Sequence, residues 1–296
     1  MSEQPVVFVI VLAWNQLAET IECLESLLQQ SYPSLCIILV DNGSTDGSAE
    51  VITQKFPAVK ICRQDVNAGI SGGYNLGIEY ALRHDCQYVI VMNNDTVADK
   101  EMISQLVQAF SDHPKAGMTT PKIYHYYGDR QRIWCVGAKW RPFPPSVKTV
   151  GSDAPDGPEF MHYIILEYAT SCCLMMSRES LEKVGLFDPG YYLYFDDWDL
   201  SARYRTAGYE ILFAPTAHLW HKVAVSTKKT AKKARPWFFM GKSSVRFYLK
   251  YKSPFILSLH TAWFILREAV KLNFYCIPPF LFGIASGLAD HWGWKS

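Results

Sequence analysis

Several familiar features are missing from this 296-residue sequence. Its eight cysteines form no C-x-x-C pair, which argues against a zinc or thioredoxin-like site and favours reduced core thiols in a cytosolic protein. No basic leader precedes the first apolar segment, so we expect no signal peptide. Two apolar stretches, residues 255–266 and 272–289, fall short of a membrane span, because one is short and a Pro-Pro pair interrupts the other.

Two nucleotide-binding signatures are also missing. The G-x-G-x-x-G loop of dinucleotide-binding proteins does not follow the first predicted strand. A nucleotidyltransferase would need an N-terminal glycine-rich loop with a basic residue over the triphosphate, whereas here the first strand leads into AWNQLAET. Both classes are therefore poor interpretations of this sequence.

Acidic residues are missing from residues 222–252, which contain ten lysines and arginines. The net charge of +1 hides a division, since residues 1–221 contain 16 basic and 26 acidic residues, and residues 222–296 contain 13 and 2. Such asymmetry predicts an anionic partner for the C-terminal region. We expect no nucleic-acid partner, since no nucleic-acid-reading module accompanies the lysines.

Apolar runs and helical periodicities alternate in the first part of the chain. Strands are predicted at residues 6–13, 36–40, 59–62 and 87–92, and helices at 18–30, at 71–83 and after residue 46. Because each strand is almost wholly apolar, the pattern predicts an α/β fold whose mainly parallel sheet is covered by helices on both faces.

The pattern changes after residue 115. Strands are predicted at 118–126, 132–136, 164–167, 171–176, 211–214 and 217–220, and helices at 178–184 and 197–207. Residues 142–158 are rich in Pro, Gly and Ser and are predicted to form a long loop. From residue 235 the chain is predicted to be helical and amphipathic, which favours contact with a membrane surface over a packed helical subdomain or an oligomer interface.

Polar side chains follow three of the predicted strands. Asn15 follows the first strand, DNGS at 41–44 follows the second, and NND at 93–95 follows the fourth. Ligands of open parallel sheets bind beyond the carboxyl ends of the strands. One polar strand end is ordinary turn chemistry, but three together predict a binding site at this edge.

A glycine-rich turn, NAGISGGYNLG at residues 67–77, leads into a predicted helix. Glycine lets a backbone approach a ligand closely, and a helix N-terminus offers free N–H groups and the positive end of its dipole. Taken alone, the turn is a weak indication of a phosphate site.

A cluster of carboxylates lies at residues 194–200, with the sequence YFDDWDL. Three carboxylates in four residues repel one another unless a cation, hydrogen bonds or solvent offset the repulsion. One explanation is structural: one or two of the carboxylates cap the N-terminus of a helix, and the others lie on a face exposed to solvent. The aromatic neighbours favour another, because an acid among aromatic groups can have a raised pKa and act as a base, and the rings can stack on a sugar.

Two histidines, His218 and His221, precede the cationic run and its Ser226-Thr227 pair. A single histidine at the end of a strand is usually structural. Because two occur together just before the lysines, a structural role and a metal or phosphate role both stay open.

Taken in order, these segments resemble the family 2 glycosyltransferases with the GT-A fold, especially the bacterial branch that contains rhamnosyltransferases. The resemblance covers about 220 residues. It rests on Asn15, VDNGSTDGS at 40–48, NAGISGGYNLGI at 67–78, VMNNDT at 91–96, GLFDPGYYLYFDDWDLSAR at 185–203, GYEILFAP at 208–215 and the His221 region. The ordered set is specific, although each piece alone is not.

The resemblance implies a Rossmann-like central sheet flanked by helices, with a helical C-terminal extension. It implies a nucleotide-sugar-binding half at 1–115, an acceptor-binding and catalytic half of the same domain at 116–234, and a basic amphipathic helical region at 235–296. The implied reaction is an inverting transfer of a sugar from a nucleotide diphosphate sugar to a hydroxyl of a cell-surface polysaccharide or lipid-linked glycan. dTDP-rhamnose is the expected donor, ahead of UDP-hexoses and UDP-galactofuranose.

The resemblance also implies roles for individual residues. Asp197 occupies the family's catalytic-base position, and Asp95 occupies the D-x-D position, where it would bind Mg²⁺ or Mn²⁺ together with His221. Asp196 replaces the commoner Glu, a conservative change that leaves the base assignment standing. Asn93 replaces the first Asp, which leaves a catalytically inactive nucleotide-sugar-binding protein as an alternative. The donor is expected to contact Asn15, Asp41, Asn42, Ser44, Asp46, Gly72, Gly73, Asn75, Asn93, Asn94 and Asp95, and the acceptor to contact Tyr194, Asp196 and Trp198.

The C-terminal region is similar to the membrane-proximal tail of this branch. We therefore expect a cytoplasmic protein that is peripheral on the inner face of the cell membrane, where its basic tail contacts anionic lipid near a lipid-linked acceptor. A homodimer through the C-terminal helices is the alternative.

Overall fold

A computed structural model describes residues 4–223 and 234–293 of the chain. The Ser226-Thr227 pair and the lysines between residues 228 and 233 lie outside the described residues. The strands are β1 Val7–Ala13, β2 Leu35–Asn42, β3 Lys60–Gln64, β4 Tyr88–Asn93, β5 Thr96–Ala98, β6 Ala116–His125, β7 Arg132–Cys135, β8 Gly137–Arg141, β9 Ser146–Val150, β10 Ala154–Pro155, β11 Ile164–Leu166, β12 Cys173–Ser177 and β13 Glu210–His221. The helices are α1 Leu17–Leu28, α2 Ser48–Lys55, α3 Gly69–Leu82, α4 Met102–Asp112, α5 Arg178–Val184, α6 Asp196–Thr206, α7 Ala234–Tyr251, α8 Pro254–Val270 and α9 Ile277–Trp292.

One large sheet runs through the protein in the order β10-β7-β6-β12-β4-β1-β2-β3. β1 pairs with β2 and β4 in parallel, and β2 pairs with β3 in parallel, which confirms the predicted α/β fold for the first half. The second half joins through β12, which is antiparallel to both β4 and β6. β13 then pairs with β6 in parallel and with β5 and β11 in the antiparallel sense.

The core lies in two layers, one on each face of this sheet. Side chains of β1 alternate between them, since Val7, Val9 and Val11 point into the layer beneath α1 and α4, and Phe8 and Ile10 point into the layer beneath α3, α5 and α6. Because a parallel strand in this position is covered on both faces, its sequence is continuously apolar instead of alternating.

Three predictions about the elements were wrong or incomplete. Residues 142–158 are not one long loop, because β9 forms a hairpin with β8 and β10 pairs with β7. The β-branched residues of SVKTV form β9 despite the surrounding Pro and Gly. α4 was not predicted, although Met102, Ile103, Leu106, Ala109 and Phe110 form its buried face. The strands predicted at 211–214 and 217–220 are one strand, β13, with a register shift between them.

The C-terminal helices were predicted to form an amphipathic region that faces a membrane. In the structure, part of their apolar surface is buried against the rest of the protein and part is exposed. α7 packs against the second half of the chain, where Phe247 and Tyr248 are fully buried against Tyr168, Tyr191 and Phe195. α9 crosses α7 closely, since a Cβ added to Gly241 would lie 2.1 Å from the carbonyl oxygen of Phe280. Among the described residues, none of the helices combines the length and apolarity that crossing a bilayer requires.

Candidate functional site

The three polar strand ends meet at one edge of the sheet. In the parallel register, Ala13 of β1 lies opposite Asp41 of β2, and Leu12 of β1 lies opposite Asn93 of β4. The structure therefore brings together the segments that the sequence placed at this edge.

Asp41 is the buried centre of the first cluster. Its side chain is 1% exposed, its Oδ1 accepts a hydrogen bond from the Ser44 N–H at 2.9 Å, and Arg63 lies 3.2 Å from its other oxygen. Asn15 belongs to the same network, because its N–H donates to Ser44 Oγ at 2.8 Å and its Oδ1 accepts from the Thr45 N–H at 3.0 Å. Arg63 was not predicted, since nothing in the local sequence marks it.

Asp46 has a local structural contact. Its Oδ1 accepts a hydrogen bond from the Ser48 N–H at the start of α2 at 3.1 Å. This bond satisfies one of the free N–H groups at the helix N-terminus.

The glycine-rich turn is held by Asn42. The Asn42 Oδ1 accepts from the Ala68 N–H at 3.0 Å, and its Nδ2 donates to the Gly69 carbonyl oxygen at 3.0 Å. Asn42 therefore shapes the turn, and its amide is already engaged in doing so. Gly69 needs its φ of +77° and leaves no room for a side chain, since an added Cβ would lie 2.4 Å from the Tyr192 carbonyl oxygen.

Gly72, Gly73 and Asn75 have packing roles in α3 that the sequence did not indicate. A Cβ on Gly73 would lie 2.3 Å from Leu12, so this glycine lets α3 lie close to β1. Gly72 faces Ala68, the residue immediately before this helix. The Asn75 amide bonds in both directions to the backbone of Phe187, at 2.8 and 3.0 Å. Both polar groups of its side chain are therefore used to join α3 to the segment at Phe187.

The NND turn separates its three side chains. Asn93 Oδ1 accepts from the Tyr74 hydroxyl at 2.9 Å, and Asn94 Nδ2 donates to Thr20 Oγ1 at 2.8 Å. Asp95 points elsewhere, and its Oδ1 lies 3.2 Å from His221 Nε2. The side chains of Asp95 and His221 are 4% and 9% exposed.

Backbone pairing fixes this Asp95–His221 pair. β5 follows directly after Asp95 and pairs with the end of β13, and the Lys222 N–H donates to the Asp95 carbonyl oxygen at 2.9 Å. Lys222 also forms an ion pair with Glu22 of α1. The ring of Trp134 meets the His221 ring edge-on, with their centroids 4.4 Å apart.

Asp197, the residue predicted to be the base, is preceded by an unusual backbone. Tyr194 and Phe195 both have left-handed φ values, 66° and 64°, immediately before α6. Such values are strained for large residues and are found most often at functional sites. The turn brings Asp197 into the first turn of α6, where its Oδ1 accepts from the Trp198 N–H at 2.9 Å and its Oδ2 accepts from the Ser171 N–H at 3.4 Å.

The two adjacent carboxyls have different environments. Burial raises the pKa of Asp197 to about 6, against the opposing effect of the N–H groups of Ser171 and Trp198. Burial, and then the charge of Asp197, raise the pKa of Asp196 well above its ordinary range. Asp196 is only 2% exposed, and its Oδ2 accepts from the Ser171 hydroxyl at 3.2 Å. This carboxyl lies inside the protein, which argues against the predicted contact with an acceptor.

Asp197 and Trp198 line a cavity of about 190 Å³. Trp134 lies on its wall and also contacts His221, so this one side chain links the cavity to the Asp95–His221 pair. The other lining residues are Cys135, Gly137, Ala138, Val147, Thr149, Ser152, Ala169 and Thr170. Tyr194 is absent from this wall and packs instead with the cluster around α7.

These features match those of known proteins. The model of the family described as "Glycosyl transferase family 2" matches residues 8–185, which is more than half of the chain. The chain belongs to glycosyltransferase family 2, and it is a glycosyltransferase. The family prediction is thereby confirmed.

Curated relatives agree with this assignment. The chain is 26% identical over 236 residues to the N-acetylglucosaminyl-diphospho-decaprenol L-rhamnosyltransferase of Mycobacterium tuberculosis, covering 69% of this chain and 72% of the relative. It is 30% identical over 215 residues to the poly-β-1,6-N-acetyl-D-glucosamine synthase of Staphylococcus epidermidis, covering 71% of this chain and 48% of that one.

Solved structures share the fold. GalNAc-T7 with UDP, GalNAc and Mn²⁺ matches 92% of this chain and 58% of its own with a TM-score of 0.62 and 16% identity. The mannosyltransferase PcManGT from Pyrobaculum calidifontis, in complex with GDP-Man and Mn²⁺, matches 99% of this chain and 89% of its own with a TM-score of 0.59 and 18% identity. The GT-A fold that the resemblance implied is therefore confirmed.

Proposed function

We propose that this protein is an inverting glycosyltransferase that moves rhamnose from dTDP-rhamnose to a hydroxyl of a lipid-linked or cell-surface glycan. One observation carries the proposal: Trp134 touches His221 and lines the cavity that contains Asp197. A single sugar ring in this cavity would therefore lie between a site for the leaving diphosphate and the half-buried Asp197 carboxylate.

Asp197 is the general base in this proposal. With a pKa of about 6 it is mostly ionised at pH 7, and it is more basic than an ordinary aspartate. It would accept the proton of the acceptor hydroxyl while that oxygen attacks the anomeric carbon from the face opposite the diphosphate. The new C–O bond forms as the bond to the diphosphate breaks, and the configuration inverts without a covalent intermediate.

Asp95 and His221 would hold the divalent cation. Their facing atoms, 3.2 Å apart, fit Mn²⁺ or Mg²⁺, which often take few protein ligands and fill their other positions with phosphate oxygens and water. The described residues contain no group of three or more His, Cys, Asp or Glu side chains suited to a metal. The bound cation would supply positive charge to the leaving diphosphate. The Mn²⁺ in the two structural neighbours supports this assignment.

The network of Asn15, Asp41 and Ser44 is the proposed site for the nucleoside. Asp41 is oriented by two partners, Arg63 and the Ser44 N–H, which makes it a fixed acceptor for ribose or base N–H and O–H groups. Asn42, the neighbour of Asp41, holds the turn that leads into α3. The N–H groups of Gly69 and Ile70 are already bonded within the protein, so phosphate would be favoured there by the positive end of the helix dipole.

Rhamnose is favoured over a hexose by two arguments. The curated relative from M. tuberculosis is a rhamnosyltransferase by name. The cavity wall also combines apolar groups at Ala138, Val147 and Ala169 with hydroxyls at Thr149 and Thr170. A 6-deoxy sugar has a methyl group where an ordinary hexose has a hydroxymethyl group, and an apolar wall suits that methyl group.

The acceptor would be reached at a membrane surface. Nine of the seventeen exposed large apolar residues of the described chain lie between residues 255 and 292, on α8, α9 and their connection. The two acidic residues of this region, Glu268 and Asp290, form ion pairs with Arg267 and Lys242. This apolar surface, together with the ten lysines and arginines of residues 222–252, fits an anionic bilayer on the inner face of the cell membrane.

Liposome binding tests this localisation. We expect co-sedimentation with anionic vesicles that weakens at high salt and is lost when residues 255–293 are deleted. A concentration-dependent dimer that does not bind vesicles would instead favour the homodimer.

A donor screen tests the function itself. Purified protein is incubated with dTDP-rhamnose, UDP-glucose or UDP-galactofuranose, with Mn²⁺ or EDTA, and a prenyl-diphosphate-linked acceptor. We expect metal-dependent release of dTDP and a rhamnosylated product of inverted configuration. Donor binding without any product would favour the inactive binding protein, and release of pyrophosphate would identify a nucleotidyltransferase.

A further inference from the structure

One face of α7 lies along the segment that delivers Asp197. This base segment, residues 188–199, contacts α7 along most of the helix. The contacting residues recur with helical spacing and therefore share one face: Arg235, Phe239, Ser243, Arg246, Phe247, Lys250 and Tyr251.

α7 holds the strained turn from outside. The Ser243 hydroxyl donates to the Leu193 carbonyl oxygen at 2.9 Å, immediately before the two left-handed residues. The Phe195 ring then packs on Phe247 with a centroid distance of 5.4 Å. A strained backbone persists only where its surroundings fix it, and here α7 supplies those surroundings.

The strongest contact is made two residues beyond Asp197. Asp199 is fully buried, and its Oδ1 lies 2.7 Å from Lys250 Nζ and accepts from the Tyr251 hydroxyl at 2.8 Å. Its Oδ2 is bound by Arg203 at 2.8 Å within α6. A buried carboxylate with this many partners has one orientation, and the first turn of α6 is fixed with it.

The same face of α7 also reaches the glycine-rich turn. Phe239 stacks on Tyr192 with a centroid distance of 4.4 Å, and Tyr192 donates from its hydroxyl to Asn67 Oδ1 at 2.8 Å. The Tyr192 carbonyl oxygen accepts from the Ile70 N–H at 2.9 Å. α7 is thus connected to the proposed diphosphate turn and to the proposed base.

We propose that Lys250 and Tyr251 are positioning residues for Asp197, so that α7 is part of the catalytic unit and not merely an anchor for the C-terminal region. The inference rests on the proposed function, because it requires Asp197 to act as the base. Neither residue lines the cavity, so their effect on the reaction would pass through Asp199 and α6.

Lys250→Met tests this, with Lys242→Met as the matched control. Lys242 lies on the same helix and forms an ion pair of equal length, 2.7 Å, but its partner is Asp290 of α9. We expect kcat of Lys250→Met to fall by about 10-fold to 10²-fold while KM for the sugar nucleotide changes less than about twofold, because small misplacement of a reacting group affects the chemical step. Lys250→Arg should restore most of kcat, and Lys242→Met should leave both parameters near wild type.

Equal kinetics for Lys250→Met and Lys242→Met would overturn the inference. If Lys250→Met does not fold, Tyr251→Phe provides the same comparison, because it removes one hydrogen bond to Asp199 and keeps the ring. Failure of the proposed function is distinguishable, since wild-type protein would then transfer no sugar. A wild type that transfers sugar and needs Asp197, together with unaffected Lys250 and Tyr251 variants, would reject the positioning role alone.

Discussion

Asp197→Asn should produce a protein that is inactive and yet more stable than the wild type at neutral pH. The amide keeps the shape of the side chain, and its single oxygen can take the place of Oδ1, which accepts from the Trp198 N–H at 2.9 Å. The longer bond from the Ser171 N–H to Oδ2, at 3.4 Å, is lost and offsets part of the gain in stability. It removes the charge and the ability to accept a proton. Loss of a positioned general base typically lowers the rate by about 10²–10⁴-fold.

The gain in stability follows from the raised pKa of Asp197. The folded protein binds this proton up to about pH 6, whereas the ordinary aspartate value is 3.8. Between these values the folded state holds more protons than the unfolded state, so stability falls as pH rises through the window. The loss is complete above pH 6 and amounts to about 3 kcal/mol at most. Asparagine does not titrate and avoids this loss.

Thermal unfolding and sugar transfer, measured side by side, check both parts. At pH 7.5 the midpoint of Asp197→Asn should exceed that of wild type, by about 2–4 °C for each kcal/mol, and the difference should shrink toward pH 4. In the wild type, kcat/KM should rise through about pH 6 and then level off. Asp129→Asn is a suitable control, because Asp129 is exposed and its Oδ1 accepts from the Gln131 N–H as an amide oxygen also would. Near wild-type turnover of Asp197→Asn would refute the base assignment, and a lowered midpoint at pH 7.5 would refute the argument from burial.

Three further outcomes are expected. Asp95→Asn and His221→Ala should each raise the Mn²⁺ concentration needed for donor binding by about tenfold or more, measured by calorimetry. An unchanged Mn²⁺ requirement would show that neither residue binds the metal. Gly73→Val should lower the free energy of unfolding by about 1–3 kcal/mol, read by urea denaturation, because its Cβ would lie 2.3 Å from Leu12; an unchanged midpoint would contradict the tight contact between α3 and β1. Val147→Thr should lower the ratio of kcat/KM for the 6-deoxy donor to kcat/KM for the hexose donor by about tenfold. An unchanged ratio would show that this cavity wall does not select the sugar.

The edge of the sheet was predictable from sequence because strand topology alone determines it. Parallel strands that end in Asn15, Asp41 and Asn93 must present those residues together. The Asp95–His221 pair was implied by family resemblance, since no spacing rule links residues so far apart in the chain. The structure places the two side chains 3.2 Å apart, and their metal role stays a prediction.

Contacts that cross the fold were not predictable. Arg63 and Trp134 reach the site from β3 and β7, whose sequences look like ordinary strands. Gly73 was interpreted as a glycine for ligand approach, but the same residue type also serves close packing of a helix on a strand. The aromatic face of α7 suggested a membrane because lipid and a protein core are both apolar, and periodicity does not distinguish them.

The position of β12 has a consequence for how the chain folds as it is synthesised. β12 lies between β4 and β6, although it follows both in sequence. β4 therefore keeps an open edge, and Met118 and Thr119 of β6 have no partner on that side, until residue 177 has emerged from the ribosome. Such delayed, long-range pairing slows folding and leaves strand edges exposed to aggregation. The first 115 residues are thus not expected to complete their sheet alone, and β13 adds the neighbouring strand later still.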